Sequence, residues 1–189
     1  VRRLIKLEDH EAVIVKDREG QCSFFYGSDA RRAAGQPRSF FLPPHSEIVQ
    51  LRWSRGRRRE KRDLVIERFD CRAQYMSFEF NCRTSDNVEL VLEGTFFWQV
   101  QSLPLMMATT GDAPGDICNH ARATFIRYVS RVTLKEFMEE LHEIARKVYT
   151  DDQDFYVNRG LLIHSLEITS FHCADPSTRS ILEQIIQET

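Results

Sequence analysis

The chain has no CxxC pair, and its five cysteines (Cys22, Cys71, Cys82, Cys118 and Cys173) are an odd number. This argues against a disulfide framework and against a zinc site, leaving free thiols in a reducing cytosol as the expectation. Glycine is also scarce. The eight glycines are scattered, and none stands in GxGxxG or GxxxxGK[ST], so no phosphate-cradling loop can be named. There is no GxSxG elbow and no HExxH pair. No apolar run is long enough to span a bilayer, and the opening residues do not resemble a secretory signal. Neither an internal repeat nor a low-complexity tract is present.

What the chain does have is alternation. Between residues 83 and 100, Val88, Leu90, Leu92, Phe96, Trp98 and Val100 fall on one side, with Glu89, Glu93, Thr95 and Gln99 on the other. A period of two predicts a half-buried strand, with Gly94 as a bulge or bend. Residues 73–83 alternate too, with Met76, Phe78, Phe80 and Cys82 on one face, so the two stretches form a long hairpin across residues 84–87. Earlier, residues 11–27 read as a hairpin turning at Asp17-Arg18-Glu19-Gly20. Residues 39–56 read as two extended pieces punctuated by Pro43-Pro44, and 63–70 as a further strand.

After Val100 the period becomes helical. Ile117, Ala121, Phe125, Tyr128 and Val132 make one stripe. Thr133 and Glu136 form a capping box opening a second helix whose inward face is Leu134, Phe137, Met138, Leu141, Ile144, Ala145 and Val148. Lys135–Glu139 and Glu143–Lys147 are spaced for ion pairs on the wet side. A strand at 160–171 follows. Asp175 as N-cap and Pro176 at the first helical position then start a helix whose stripe is Thr178, Ile181, Leu182, Ile185 and Ile186. The expected class is α+β: a mainly antiparallel sheet with helices packed on one face. The expected division is a domain at 1–175 and, at 176–189, the start of a longer C-terminal cap or coiled-coil helix. Because the chain opens on Val1 and closes inside a helical pattern, a longer parent is expected.

The search for chemistry returns little. Cys118-x-His120 puts its two groups on different faces of a helix, and His164 and His172 are too far apart to chelate together. Asp151-Asp152-x-Asp154 starts like a calcium loop but lacks the glycine and terminal glutamate, so it reads as a solvated turn. Asp112 and Asp116 flank a helix start, where negative charge is stabilising. No catalytic, cofactor-binding or metal residue is named. The expectation is a non-enzyme with no cofactor and no small-molecule substrate.

The net charge of −2 hides an uneven spread, with residues 1–70 at +5. Most of that excess is one run, Arg55, Arg57, Arg58, Arg59, Lys61 and Arg62. Such a run can hold anionic lipid headgroups or RNA, at about 1 kcal/mol per basic residue near a charged surface. The usual reading of such a run is a solvated hairpin tip, in which replacing Arg57, Arg58 and Arg59 by serine leaves the melting temperature nearly unchanged.

"TSDNVELVLEGTFFWQV", a helix bearing alanine and arginine, "VTLKEFMEELHEIARKV", "NRGLLIHSLEITSF" and "DPSTRSILEQIIQET" stand in an order that resembles the band 7 (SPFH) family of stomatins, prohibitins and flotillins. The first half and the end of the chain are similar, within that fold, to the shoulder domain of the major vault protein family. The similarity is carried by "DHEAVIVKDREGQCSFFYG", "FFLPPHSEIVQLRWS", the basic stretch and the Asp175, Thr178, Arg179 pattern. The resemblance implies a self-assembling structural scaffold of a cytoplasmic ribonucleoprotein particle. Its homo-oligomer would form through lateral contacts, with Ile181, Leu182, Ile185 and Ile186 on the assembly helix. A membrane-associated, stomatin-like scaffold, peripheral to membranes, is the alternative.

Overall fold

The computed structural model describes residues 2–176, 180, 183, 184, 187 and 188. The first strands are short. β1 (Leu4–Lys6) pairs with β4 (Ser39–Phe41), and β2 (Glu11–Lys16) forms the expected hairpin with β3 (Cys22–Tyr26). The hairpin turn is held by Asp17, whose carboxylate accepts the Glu19 and Gln21 N–H groups at 2.9 and 2.8 Å. Gly20 supplies the positive φ of 86° that closes it. β2 also pairs at its two ends with β5 (Glu47–Ile48) and β8 (Phe69–Asp70). β6 (Leu51–Arg55) and β7 (Lys61–Ile66) make a separate two-stranded ribbon.

The alternating stretches become the main sheet. β9 (Gln74–Arg83) and β11 (Leu161–Cys173) flank β10 (Glu89–Val100), all antiparallel. The even-numbered face of β10 is buried as expected, with Leu90, Leu92, Phe96 and Val100 inaccessible to solvent. The pairing of β10 with β11 shifts register between Glu93 and Gly94. The reason for glycine there is space. A Cβ on Gly94 would lie 2.3 Å from the Glu167 backbone oxygen and 2.5 Å from Phe78 Cζ.

Helices cover this sheet. α1 (Leu103–Thr109) was not anticipated, although Ser102, which accepts the Leu105 N–H at 3.3 Å, and Pro104 mark its start. α2 (Ala113–Val129) is capped by Asp112. α3 (Leu134–Thr150) opens with the Thr133/Glu136 capping box, both halves of which are formed. On its exposed side Glu143 bonds Arg146 at 2.6 Å, one turn position short of the expected Lys147. The 84–87 turn docks against the α2–α3 corner: Ser85 N–H bonds Val132 O at 2.8 Å, and Asp86 accepts the Leu134 N–H at 3.1 Å. α4 (Gln153–Val157) occupies the stretch expected to be a solvated turn. Past Asp175 the described residues, Pro176, Ser180, Glu183, Gln184, Gln187 and Glu188, have helical backbone and are exposed.

The hydrophobic face of β10 therefore lies where it was expected, under the two long helices. Phe125 of α2 reaches Phe80 and Phe78 of β9, with ring centroids 5.4 and 6.4 Å apart, and Phe137 of α3 meets Phe171 of β11 edge-on at 5.4 Å. Trp53 joins the β6–β7 ribbon to this core, 6.1 Å from Trp98 and 5.8 Å from Phe69. The class is α+β. Among the described residues the strands form four hydrogen-bonded groups rather than a single sheet. Strands of two to six residues, interrupted by Pro43-Pro44 and by turns, are too short to extend one continuous ladder, and they join the core by side-chain packing instead.

Candidate functional site

The six basic residues of the 55–62 run sit where β6 turns into β7, as expected; all but Arg59 are exposed, yet the turn is fastened to the fold. The turn lies along the outer edge of β9. The Glu79 N–H bonds the Arg57 carbonyl at 2.9 Å. The Arg59 guanidinium donates to the Ser54 carbonyl of β6 at 3.2 Å and to the Ser77 carbonyl of β9 at 2.9 Å. It thus ties two strand edges that share no ladder. An unpaired strand edge is a template for unwanted pairing, and this turn covers part of one.

Side-chain pairing absorbs much of the remaining charge. Arg55 forms a two-pronged contact with Asp63 at 2.5 and 3.1 Å, and its hydrogen bond holds the Asp63 carboxyl below the usual carboxylate range. Arg58 bonds Glu79 at 3.1 Å and Asn81 at 2.8 Å, Arg57 lies 3.6 Å from Glu93, and the Arg62 Nε–H bonds the Arg52 carbonyl at 3.0 Å. Counted with Glu60, Asp63, Glu79 and Glu93, the six cations leave a surplus of only two. Arg59 departs most from the sequence expectation. It is half-buried, holds a φ of 54°, and bonds backbone rather than solvent.

A second polar cluster, not found by sequence reasoning, joins α2 to α4. Asp152 accepts the Thr124 hydroxyl at 2.8 Å, lies 3.2 Å from His120 Nε2 outside hydrogen-bond geometry, and is 3.9 Å from Arg127. The Tyr128 hydroxyl donates to Asp151 at 2.7 Å, and that bond raises the tyrosine pKa. The His120 ring stacks on Phe155 at 3.7 Å, and the Arg159 guanidinium lies 3.6 Å from the same ring. Asp151 and Asp152 are pins between helices rather than a free turn. The available signal was the repeated aspartate before an aromatic pair, which precedes a short helix as readily as a loop, although the N-cap Asp152 makes no side-chain cap bond.

Cys22, Cys71, Cys82 and Cys118 are free thiols, and Cys82, Cys118 and Cys173 are buried. Burial pushes the Cys82 thiol up to about 12. Among the described residues no group of three or more His, Cys, Asp or Glu could hold a metal ion, and no helix is long and apolar enough to cross a membrane. The residues named for the assembly helix, Ile181, Leu182, Ile185 and Ile186, lie outside the described residues.

The model of the SPFH domain / Band 7 family matches residues 62–188, two thirds of the chain and the whole of the β9–β11 sheet with its helices. No curated protein matches the chain.

Proposed function

The chain belongs to the SPFH domain / Band 7 family, and on that premise we propose that it is the scaffold domain of a self-assembling, major vault protein-like particle protein. A scaffold-type domain is what the family match supports. The observation that carries the reading is that the matched residues include most of the main core. The long β9–β10 hairpin, its docked turn and the capped α3 give that core the rigidity a repeated building block needs. The finer, vault-like reading is supported by the ordered series of sequence elements before residue 62. It also needs two different complementary faces on each copy, as closed symmetric assembly requires.

In this reading residues 1–175 form the block and the stretch from 176 begins the lateral element. The test is negative-stain imaging with light scattering on the protein at its natural length. Regular particles of a single size support the vault-like reading, whereas a small soluble species that does not assemble overturns it. Co-sedimentation with anionic vesicles, in place of particles, would establish the membrane-associated alternative.

A further inference from the structure

A cleft of about 260 Å³ opens where the β2–β3 hairpin meets the β8–β9 turn and the end of β10. Three side chains on its lining, His10, Tyr26 and Ser28, have no side-chain hydrogen-bond partner among the described residues. Each is only partly buried, and none of their polar atoms is shut off from solvent, so the two hydroxyls and the imidazole nitrogens are open to a ligand. The lining is held from beneath. The Cys71 N–H bonds the His10 carbonyl at 2.8 Å, and the Gln99 Nε2–H bonds the Cys71 carbonyl at 3.0 Å. Arg31 Nη1 donates to the Val100 carbonyl at 3.4 Å, which leaves its Nε and Nη2 unengaged and accessible.

The charges on this lining cancel, with one exception. Asp9 bonds Arg38 at 2.7 Å, Glu11 lies 3.3 Å from Arg68, and Arg72 bonds Asp70 at 2.8 Å. Arg31 has no carboxylate within ion-pair distance among the described residues; Asp29, two positions earlier, is taken by Arg32 instead. Burial raises the pKa of Tyr26 and of Cys71, and the Arg31 charge opposes that rise at both. The guanidinium therefore stands beside two groups that keep their protons at neutral pH and cannot neutralise it. The cleft carries one uncompensated positive charge with hydroxyl donors next to it. A guanidinium fork beside such donors matches the two oxygens of a carboxylate. One negative charge fits better than two, because the Asp9 and Glu11 carboxylates on the same lining repel a dianion. Those carboxylates and His10 also favour a ligand body that can donate hydrogen bonds.

We propose that this cleft binds a small, singly charged hydroxy acid, its carboxylate on Arg31 and the Tyr26 hydroxyl and its hydroxyl-bearing body towards Ser28 and His10. The site is for a ligand, not for a reaction, since the one thiol on its lining, Cys71, stays protonated. Most of the lining precedes residue 62, where the family match begins, so the site is a property of the first strands of this chain rather than of the matched core. A bound acid would bridge the β2–β3 hairpin to the end of β10, two parts of the fold that share no ladder.

The test uses lactate as probe and lactamide, which keeps the shape and the hydroxyl but lacks the charge, as control, at constant ionic strength. Binding is read from the backbone amide signals of Tyr26, Ser28 and Cys71 and the side-chain amide of Gln99 in the isotope-labelled chain. Lactate in the millimolar range should shift these signals together and saturably, with lactamide weaker by about tenfold, the discrimination a charge-assisted hydrogen bond provides. Arg31→Gln should weaken lactate by about tenfold or more, and Tyr26→Phe by a smaller factor, with far-UV circular dichroism unchanged. If Arg31→Gln does not fold, Tyr26→Phe, which removes a hydroxyl without a protein partner, decides the matter. No saturable shift at these residues overturns the site. Equal binding of acid and amide, or unchanged binding in folded variants, overturns the recognition of the carboxylate. Tighter binding of inorganic phosphate at mildly alkaline pH, where it is a dianion, overturns the preference for a single charge.

Discussion

Replacing Arg59 by alanine separates a structural role for the basic turn from a purely solvated one. The two guanidinium bonds go to carbonyls of different ribbons, at 3.2 and 2.9 Å. A hydrogen bond to a charged group contributes about 1.5–3 kcal/mol when well made and dry. The longer of the two is weaker, and Arg59 is only half-buried, so water recovers part of the loss. A net cost of about 2 kcal/mol is expected for Arg59→Ala. In a chain of this length that lowers the melting temperature by about 4–8 °C. Alanine is the right replacement because it keeps a Cβ at a φ of 54°, whereas glycine would relieve that strain and mask the lost bonds. The internal control is Arg57→Ala. Arg57 is 62 % exposed and 3.6 Å from Glu93, a geometry worth less than about 0.5 kcal/mol. Urea unfolding of the two variants, read by circular dichroism, makes the comparison. If Arg59→Ala is as mild as Arg57→Ala, the turn is not fastened to β9 as described, and the basic run is merely a solvated tip.

Gly94→Ala sets two effects of opposite sign against each other. Glycine-to-alanine changes at compatible positions stabilise by about 0.4–1 kcal/mol, but overpacking costs about 1–3 kcal/mol. Because the Cβ would meet backbone at 2.3 Å, destabilisation should win in chemical denaturation, and a stabilised variant would refute the close approach of β10 and β11. Tyr156→Phe removes a buried hydroxyl that has no partner and should be neutral or stabilising by up to about 1 kcal/mol; a clear loss in melting temperature would mean the hydroxyl is satisfied. Cys82 carries a pH signature. Its folded pKa is raised from an ordinary 9.0 to about 12, so the thiol's contribution is intact below pH 9.0 and is lost as pH rises towards 12. Alkaline unfolding followed for the parent chain and Cys82→Ala should show a shallower fall over that window in the variant, and identical slopes would contradict the burial of this thiol.

The order of elements was legible in the residues because each signal is local. The alternation in β9 and β10 decides which residues face inward, and a one-residue slip would put Leu90, Leu92 and Phe96 in water. Thr133 and Glu136 are three residues apart and determine their own capping box. The stripe of α3 needs only the helical repeat. The same locality explains the near misses. α1 and α4 are of seven and five residues, too short for a stripe to repeat; the Ser102 cap could have revealed α1, whereas α4 has no side-chain cap. The resemblance to the SPFH family was readable for a related reason, since it rests on a series of such elements in order rather than on any one of them.

What only the tertiary structure decided is where each polar group finds its partner. Seen as sequence, Arg55 to Arg62 is a block of charge broken only by Gly56, and nothing within it distinguishes Arg59 from Arg57. The distinction arises because the β6–β7 turn comes to rest on β9, bringing Glu79, Asn81 and the Ser77 carbonyl to the arginines from about twenty residues away and Glu93 from farther still. Asp152 acquires Thr124 in the same way across 28 residues. Side-chain periodicity is a property of neighbours along the chain and can be read without folding it. Electrostatic and hydrogen-bond partnerships fall off within a few ångströms, so they belong to residues that the packed core has made neighbours in space.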